Sequence, residues 1–129
     1  MATVNKFEDL EIWKLARTLC NDIFEIIETT NLKNNFRLSN QIDGSSGSIM
    51  DNIAEGFERN GNKEFINFLS IAKASCGETR SQLYRVLDRS FITPEKFEIL
   101  REQTELLSRK IGSFINYLKN TELKGTKFK

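Results

Sequence analysis

Apolar residues recur along this chain at intervals of three and four, in four separated blocks, with no stretch that alternates apolar and polar. That interval is the signature of helices with one buried face, because strands repeat every second residue. In the first block Ile12, Ala16, Leu19, Ile23 and Ile26 share a stripe. In the second, Ile42, Ile49, Ile53 and Phe57 do so, and in the third Phe65, Leu69, Ala72, Cys76, Thr79, Leu83 and Val86. The fourth runs through Phe97, Leu100, Leu107, Ile111, Phe114 and Leu118, with Thr104 as one polar interruption. The spacing predicts helices over about 6–29, 39–59, 63–90 and 94–119, followed by a polar, basic tail over 120–129 that is expected to fray.

Local punctuation supports these bounds. Asn5, followed three places on by Glu8, reads as the N-cap of the first helix, and Ser39 as that of the second. Thr93-Pro94 places a capping hydroxyl before proline at the first helical position. The stretch Asp43-Gly44-Ser45-Ser46-Gly47-Ser48 has poor helix propensity. Ile42 and Ile49 stay in phase across it, so the second helix is read as continuous, its small residues allowing close backbone approach. A break at Gly44–Gly47 is the rival reading. Short connections between helices of similar length make antiparallel neighbours. The expected architecture is an all-α, antiparallel, up-down-up-down four-helix bundle in one domain.

Two helices carry more apolar surface than a bundle core requires. On the first, Trp13, Cys20, Phe24 and Ile27 flank the core stripe and widen its arc to about 160°, against the roughly 100° of an ordinary bundle helix. On the third, Ile66, Leu69 and Leu87 do the same. These two surplus stripes, on helices that can neighbour each other, predict a subunit interface.

Composition narrows the chemistry. The 129 residues include no histidine, which removes the commonest general base and the commonest metal ligand together. Cys20 and Cys76 form no CxxC pair and sit at apolar positions, as small core residues do. Gly44, Gly47 and Gly56 belong to no phosphate-loop pattern, and the acids Asp51, Glu55 and Glu58 read as a solvated helix face. No catalytic residue, metal or cofactor is expected. No apolar run reaches bilayer length and no leader pattern precedes Phe7, so a cytoplasmic protein with reduced thiols and no membrane partner is the expectation.

Charge is uneven although the sum is +1. Residues 1–64 carry −4 and residues 65–129 carry +5. The halves either lie side by side in one bundle, face each other across a subunit contact, or offer a basic side to nucleic acid. Lys73, Arg80, Arg85, Arg89 and Lys119, with Lys124, Lys127 and Lys129 of the tail, are the candidate phosphate contacts. On the second helix Gln41, Ser48, Asn52, Glu55 and Arg59 form a polar ridge beside the apolar stripe. It would fasten that helix to a neighbour, or hold a ligand through a Glu55–Arg59 pair.

Several of these residues fall into a recognisable pattern. Phe7-x-x-Leu10-x-x-Trp13, Gln41-Ile42, Ser48-Ile49-x-x-Asn52-Ile53-Ala54-Glu55-Gly56, and Glu64-Phe65-x-x-Phe68-Leu69-x-Ile71-Ala72-x-Ala74-Ser75 with Glu78 resemble the proteins encoded by intervening sequences of bacterial 23S rRNA genes. The likeness extends from Phe7 to about Leu118. It implies a helical bundle assembled as a homopentamer, a link to ribosomal RNA genes under a ribosomal-protein-like name, and no enzymatic activity. A similar bundle in diversity-generating retroelements is a basic pentamer that binds nucleic acid and a reverse transcriptase. Here Asp43 and Gly44 follow the Gln-Ile pair, where the family often carries basic residues. The expected function is a non-enzymatic oligomeric scaffold associated with RNA. The alternative is an adaptor whose acidic half binds a basic partner protein such as a reverse transcriptase.

Overall fold

The computed structural model describes residues 4–123 and contains four long helices: α1 Glu11–Thr29, α2 Phe36–Phe57, α3 Asn62–Asp88 and α4 Pro94–Leu123. Among the described residues there is no strand. α2 packs on α1 and α3, and α4 packs on α3 and α1. The helices therefore stand at the corners of a square in chain order, each antiparallel to the next, as the short connections require. α1 and α3 lie diagonally across the bundle. They are not neighbours within the protomer, so their two surplus stripes do not adjoin there.

All four stripes turn inward as their periodicity dictates. Ala16, Ile23, Ile42, Ile53, Leu69, Leu83, Leu100 and Ile111 are fully enclosed. Thr104 joins them without penalty because its hydroxyl donates to the Arg101 carbonyl one turn back, at 2.6 Å. α2 is one uninterrupted helix through Gly44–Ser48. Burial of Ile42 and Ile49 outweighs the low propensity between them.

The helix ends differ from the sequence expectation in three places. α1 begins at Glu11, preceded by a single 3-10 turn at Phe7–Asp9, and Asn5 caps nothing. Leu10 adopts an extended conformation and is buried. That break brings the Phe7 ring edge-on to Trp13 at 5.2 Å, a contact that residues six apart on one continuous helix do not make. α2 begins one turn earlier than expected. Asn35 is its cap, accepting from the Leu38 amide at 3.1 Å, whereas Ser39 is a buried residue of the first turns. α4 extends through Leu123, into the segment expected to fray. The Thr93 cap is as expected, its hydroxyl accepting from the Lys96 amide at 3.1 Å.

Glycine is required at the α2–α3 turn. A Cβ on Gly56 would lie 2.7 Å from the Phe68 Cβ and 3.0 Å from the Phe65 ring. Gly61 closes the turn at φ +88°. Gly44 and Gly47, by contrast, have nothing within 4 Å of a built Cβ. Close backbone approach is thus made by Gly56 and not by the Gly44–Gly47 stretch. The two kinds of glycine separate in a stability experiment. Gly56→Ala should lower unfolding free energy by about 1–3 kcal/mol through overpacking. Gly44→Ala should raise it by about 0.5–1 kcal/mol through helix propensity. Urea midpoints measured for both variants check the pair of signs.

Candidate functional site

The polar ridge of α2 faces α3 and fastens onto it. Gln41 accepts from Arg85 at 2.9 Å through its side-chain carbonyl. The Ser48 and Ser75 hydroxyls meet at 3.0 Å. Asn52 donates to the Ser48 carbonyl at 2.8 Å and to its hydroxyl at 2.9 Å, which holds that serine in place. Glu55 and Arg59 pair at 2.9 Å on the exposed surface, and the Arg59 guanidinium lies over the Phe68 ring of α3 at 4.9 Å. All five ridge residues share one side of α2, and each reaches a partner outside its own helix or holds one that does.

Beneath this ridge lies a buried polar layer, of which periodicity singles out Thr79 alone. The Ser45 hydroxyl donates to the Gln82 side-chain carbonyl at 2.6 Å and lies 2.9 Å from the Thr79 hydroxyl. Thr79 also reaches the Ser75 carbonyl at 2.9 Å. Ser45, Ser75, Thr79 and Gln82 are all buried. The signal available in the sequence was a polar residue in each helix at a core-facing step, Ser45 beside Ile42 and Thr79 within the third stripe. The layer holds hydroxyls and an amide, with no acid–base pair and no activated nucleophile inside it. Its chemistry is that of a directional helix-to-helix fastening in a low-dielectric interior.

The candidate phosphate contacts are dispersed. Lys73 lays its aliphatic stem against α4 beside Gly112. Arg80 pairs with Glu105 of α4 at 3.7 Å. That glutamate also holds Arg101, which Glu98 grips at 2.8 Å. The hydrogen bond from Arg101 holds the Glu98 carboxyl below the usual carboxylate range, and the same contacts raise the guanidinium's pKa further. Arg85 is engaged by Gln41, Arg89 closes α3 at one end of the bundle, and Lys119 stands on α4 toward the other. Within one protomer these cations form no single patch. Lys124, Lys127 and Lys129 lie outside the described residues.

The residues expected at a subunit contact divide. Ile27 and Leu69 are enclosed in the protomer core and are corrected to core positions. Trp13, Cys20, Ile66 and Leu87 are half-buried, with Trp13 covered by Phe7 and by the Arg17 guanidinium at 5.7 Å. Phe24 is 56% exposed. Sequence reasoning missed other apolar exposures: Phe36 at the start of α2 is 74% exposed, and Ile71, Tyr84, Ile99, Leu106 and Tyr117 also reach the surface. An isolated apolar residue on a polar helix face carries no periodic signal, which is why they escaped.

Cys76 is buried, and desolvation pushes its thiol up to about 12. Desolvation also raises Cys20, although the Ser46 hydroxyl opposes the shift. Among the described residues no three acidic or thiol side chains gather into a metal site. No described helix is long and apolar enough to cross a membrane.

The family model described as 23S rRNA-intervening sequence protein matches residues 8–113. No curated protein matches this sequence. A solved structure similar to this one is the crystal structure of a protein of unknown function from the S23 ribosomal protein family of Bacteroides thetaiotaomicron. It shares 25% identity and a TM-score of 0.73, and the match covers 81% of this chain and 97% of that one.

Two measurements test the site's chemistry. Ser45→Ala leaves the Gln82 carbonyl without its donor inside the seam and should cost about 1–3 kcal/mol of stability, read by chemical denaturation. Thiol labelling at pH 8 should modify Cys20 well before Cys76. Because the folded Cys76 keeps its proton up to about 12 while the unfolded thiol ionises near 9.0, its contribution to stability is complete below pH 9. It declines as pH rises through the interval between those two values, and Cys76→Ala should remove that part of the alkaline loss.

Proposed function

Because this chain belongs to the 23S rRNA-intervening sequence protein family, we propose that it is a non-catalytic scaffold, a homopentamer that presents dispersed cations jointly to RNA. The observation that carries this reading is apolar surface left over from a complete core. Leu19, Ile49, Leu83 and Leu107 already fill the bundle interior, yet Phe24, Phe36, Ile99 and Tyr84 remain at the surface. Exposed aromatic and aliphatic groups on several helices of a filled bundle are what a subunit contact consumes. The seam between α2 and α3 joins elements of one chain and has no acid, base or nucleophile poised for turnover, which supports the non-catalytic part.

Assembly bears on RNA affinity. Of the candidate contacts among the described residues, one protomer offers Lys73, Arg85, Arg89 and Lys119 on separated surfaces, with Arg80 held by Glu105. Repetition around a ring multiplies weak phosphate contacts without adding a new one. The contacts would be to backbone phosphate, so affinity depends on salt and not on base sequence. The second reading, an adaptor for a basic protein, draws support from Asp43 and Asp51 on the exposed side of α2.

Native mass spectrometry of the full chain, before and after nuclease treatment, tests both. The expected result is a protein assembly of five copies that persists after nuclease. RNA affinity should fall steeply between low and physiological salt and weaken on replacing Lys73 and Lys119 by glutamine. A monomeric mass at micromolar concentration overturns the scaffold, and salt-independent binding overturns the phosphate mechanism. Recovery of a basic protein that survives nuclease selects the adaptor.

A further inference from the structure

Two unlike surfaces remain on the protomer, a groove of mixed polarity with acidic residues along it and an apolar ridge. The first is a groove of about 600 Å³ on the outer side of α1 and α2, with Cys20, Gly44, Gly47 and Met50 among its lining. Its glycines meet nothing in their own protomer. Asp43 and Asp51 line its α2 side, and Phe24 lies one turn along α1 from Cys20. The second surface is a ridge on α4. Ile99, Leu106 and Tyr117 are 7 and 11 residues apart, so they align within about 20° on one face at 100° per residue. This ridge stands just outside the row formed by Lys96, Gln103 and Lys110, which reach Glu25, Asp22 and Glu11 of α1.

Resting on the self-association reading, we infer that the α4 ridge of one copy seats in the α1–α2 groove of the next. Charge decides the occupant. Among the described residues the α1–α2 side (4–61) carries −4 and the α3–α4 side (62–123) +2, and the fold places each on its own side of the square. Joining groove to groove sets Asp43 and Asp51 against their own copies. Joining groove to ridge instead offers them Arg109, which flanks Leu106, and Lys110 only where it gives up Glu11. Glu95 and Glu102 lie in the ridge's N-terminal half, so the docked helix runs with its C-terminal half along the acidic rim. A groove that receives a different surface makes a head-to-tail contact, and such contacts close into rings when the rotation permits. The groove floor is where a bulky docking helix needs side chains to be missing, which gives Gly44 and Gly47 the role that intramolecular packing does not.

The test uses the full chain and two single variants, Gly47→Trp and Leu106→Asp, each first checked for helicity and cooperative unfolding. Both positions have room or exposure in the protomer, so the fold is retained; Gly44→Leu, at a second open position, must reproduce the first variant. The expected masses are an oligomer for the parent chain and a monomer for each variant. An equimolar mixture of the two variants should give a dimer and nothing larger, because that pair retains one intact groove and one intact ridge. An unchanged assembly for Gly47→Trp overturns the groove. Dissociation by Leu106→Asp alone shows a ridge pairing with itself, and a monomeric mixture shows that the two surfaces never meet. A monomeric parent chain removes the scaffold reading itself, an outcome distinct from each of these.

Discussion

The contact between α2 and α3 is the constraint on which the rest of this structure depends. Apolar packing alone lets two helices slide and rotate at small cost, because dispersion and hydrophobic burial have little directional character. Here Ser45 must face Thr79 and Gln82, Ser48 must face Ser75, and Gly56 must pass beneath Phe68. A slip of one residue would leave those hydroxyls buried without partners and drive a side chain into the Phe68 contact. The register of the pair is therefore set by polar groups within an otherwise oily interior.

That register also decides what the outside looks like. With Ser45 turned to α3 and Ser48 and Asn52 held at the edge of that contact, the outer face of α2 presents Asp43, Gly47 and Asp51 to the groove that Cys20 of α1 also lines. The cross-bundle ion pairs of Arg80 with Glu105 and of Lys110 with Glu11 tie α4 between its neighbours. They leave Ile99, Leu106 and Tyr117 partly exposed. Individually such surface ion pairs contribute little stability. Their larger consequence is to occupy cations that would otherwise be free for phosphate, which turns the function toward what several copies can present together.

Much of this was legible beforehand. The four helices, their antiparallel order, the continuity of α2 through its glycines and the Thr93 cap all follow from the three-and-four spacing of apolar residues and from cap chemistry. So does the set of α2 ridge residues, since Gln41, Ser48, Asn52, Glu55 and Arg59 share one face on any regular helix. The start of α1 was not legible, because Leu10 breaks the helix in order to bury itself and bring Phe7 onto Trp13. Nor was the cap of α2, where two residues of suitable chemistry, Asn35 and Ser39, stood one turn apart.

Sequence by itself determined the fold class, the family pattern, the absence of histidine chemistry and the separation of negative from positive halves, because each depends on residue type and on position along one helix. Only the tertiary structure decided which sides of those helices meet. It placed α1 and α3 on a diagonal, enclosed Ile27 and Leu69, showed Gly56 as the crowded glycine and Gly47 as an open one, and scattered the basic residues over separate surfaces. The physical reason is that periodicity specifies an angle about one axis, whereas burial and pairing depend on how neighbouring axes are rotated against each other.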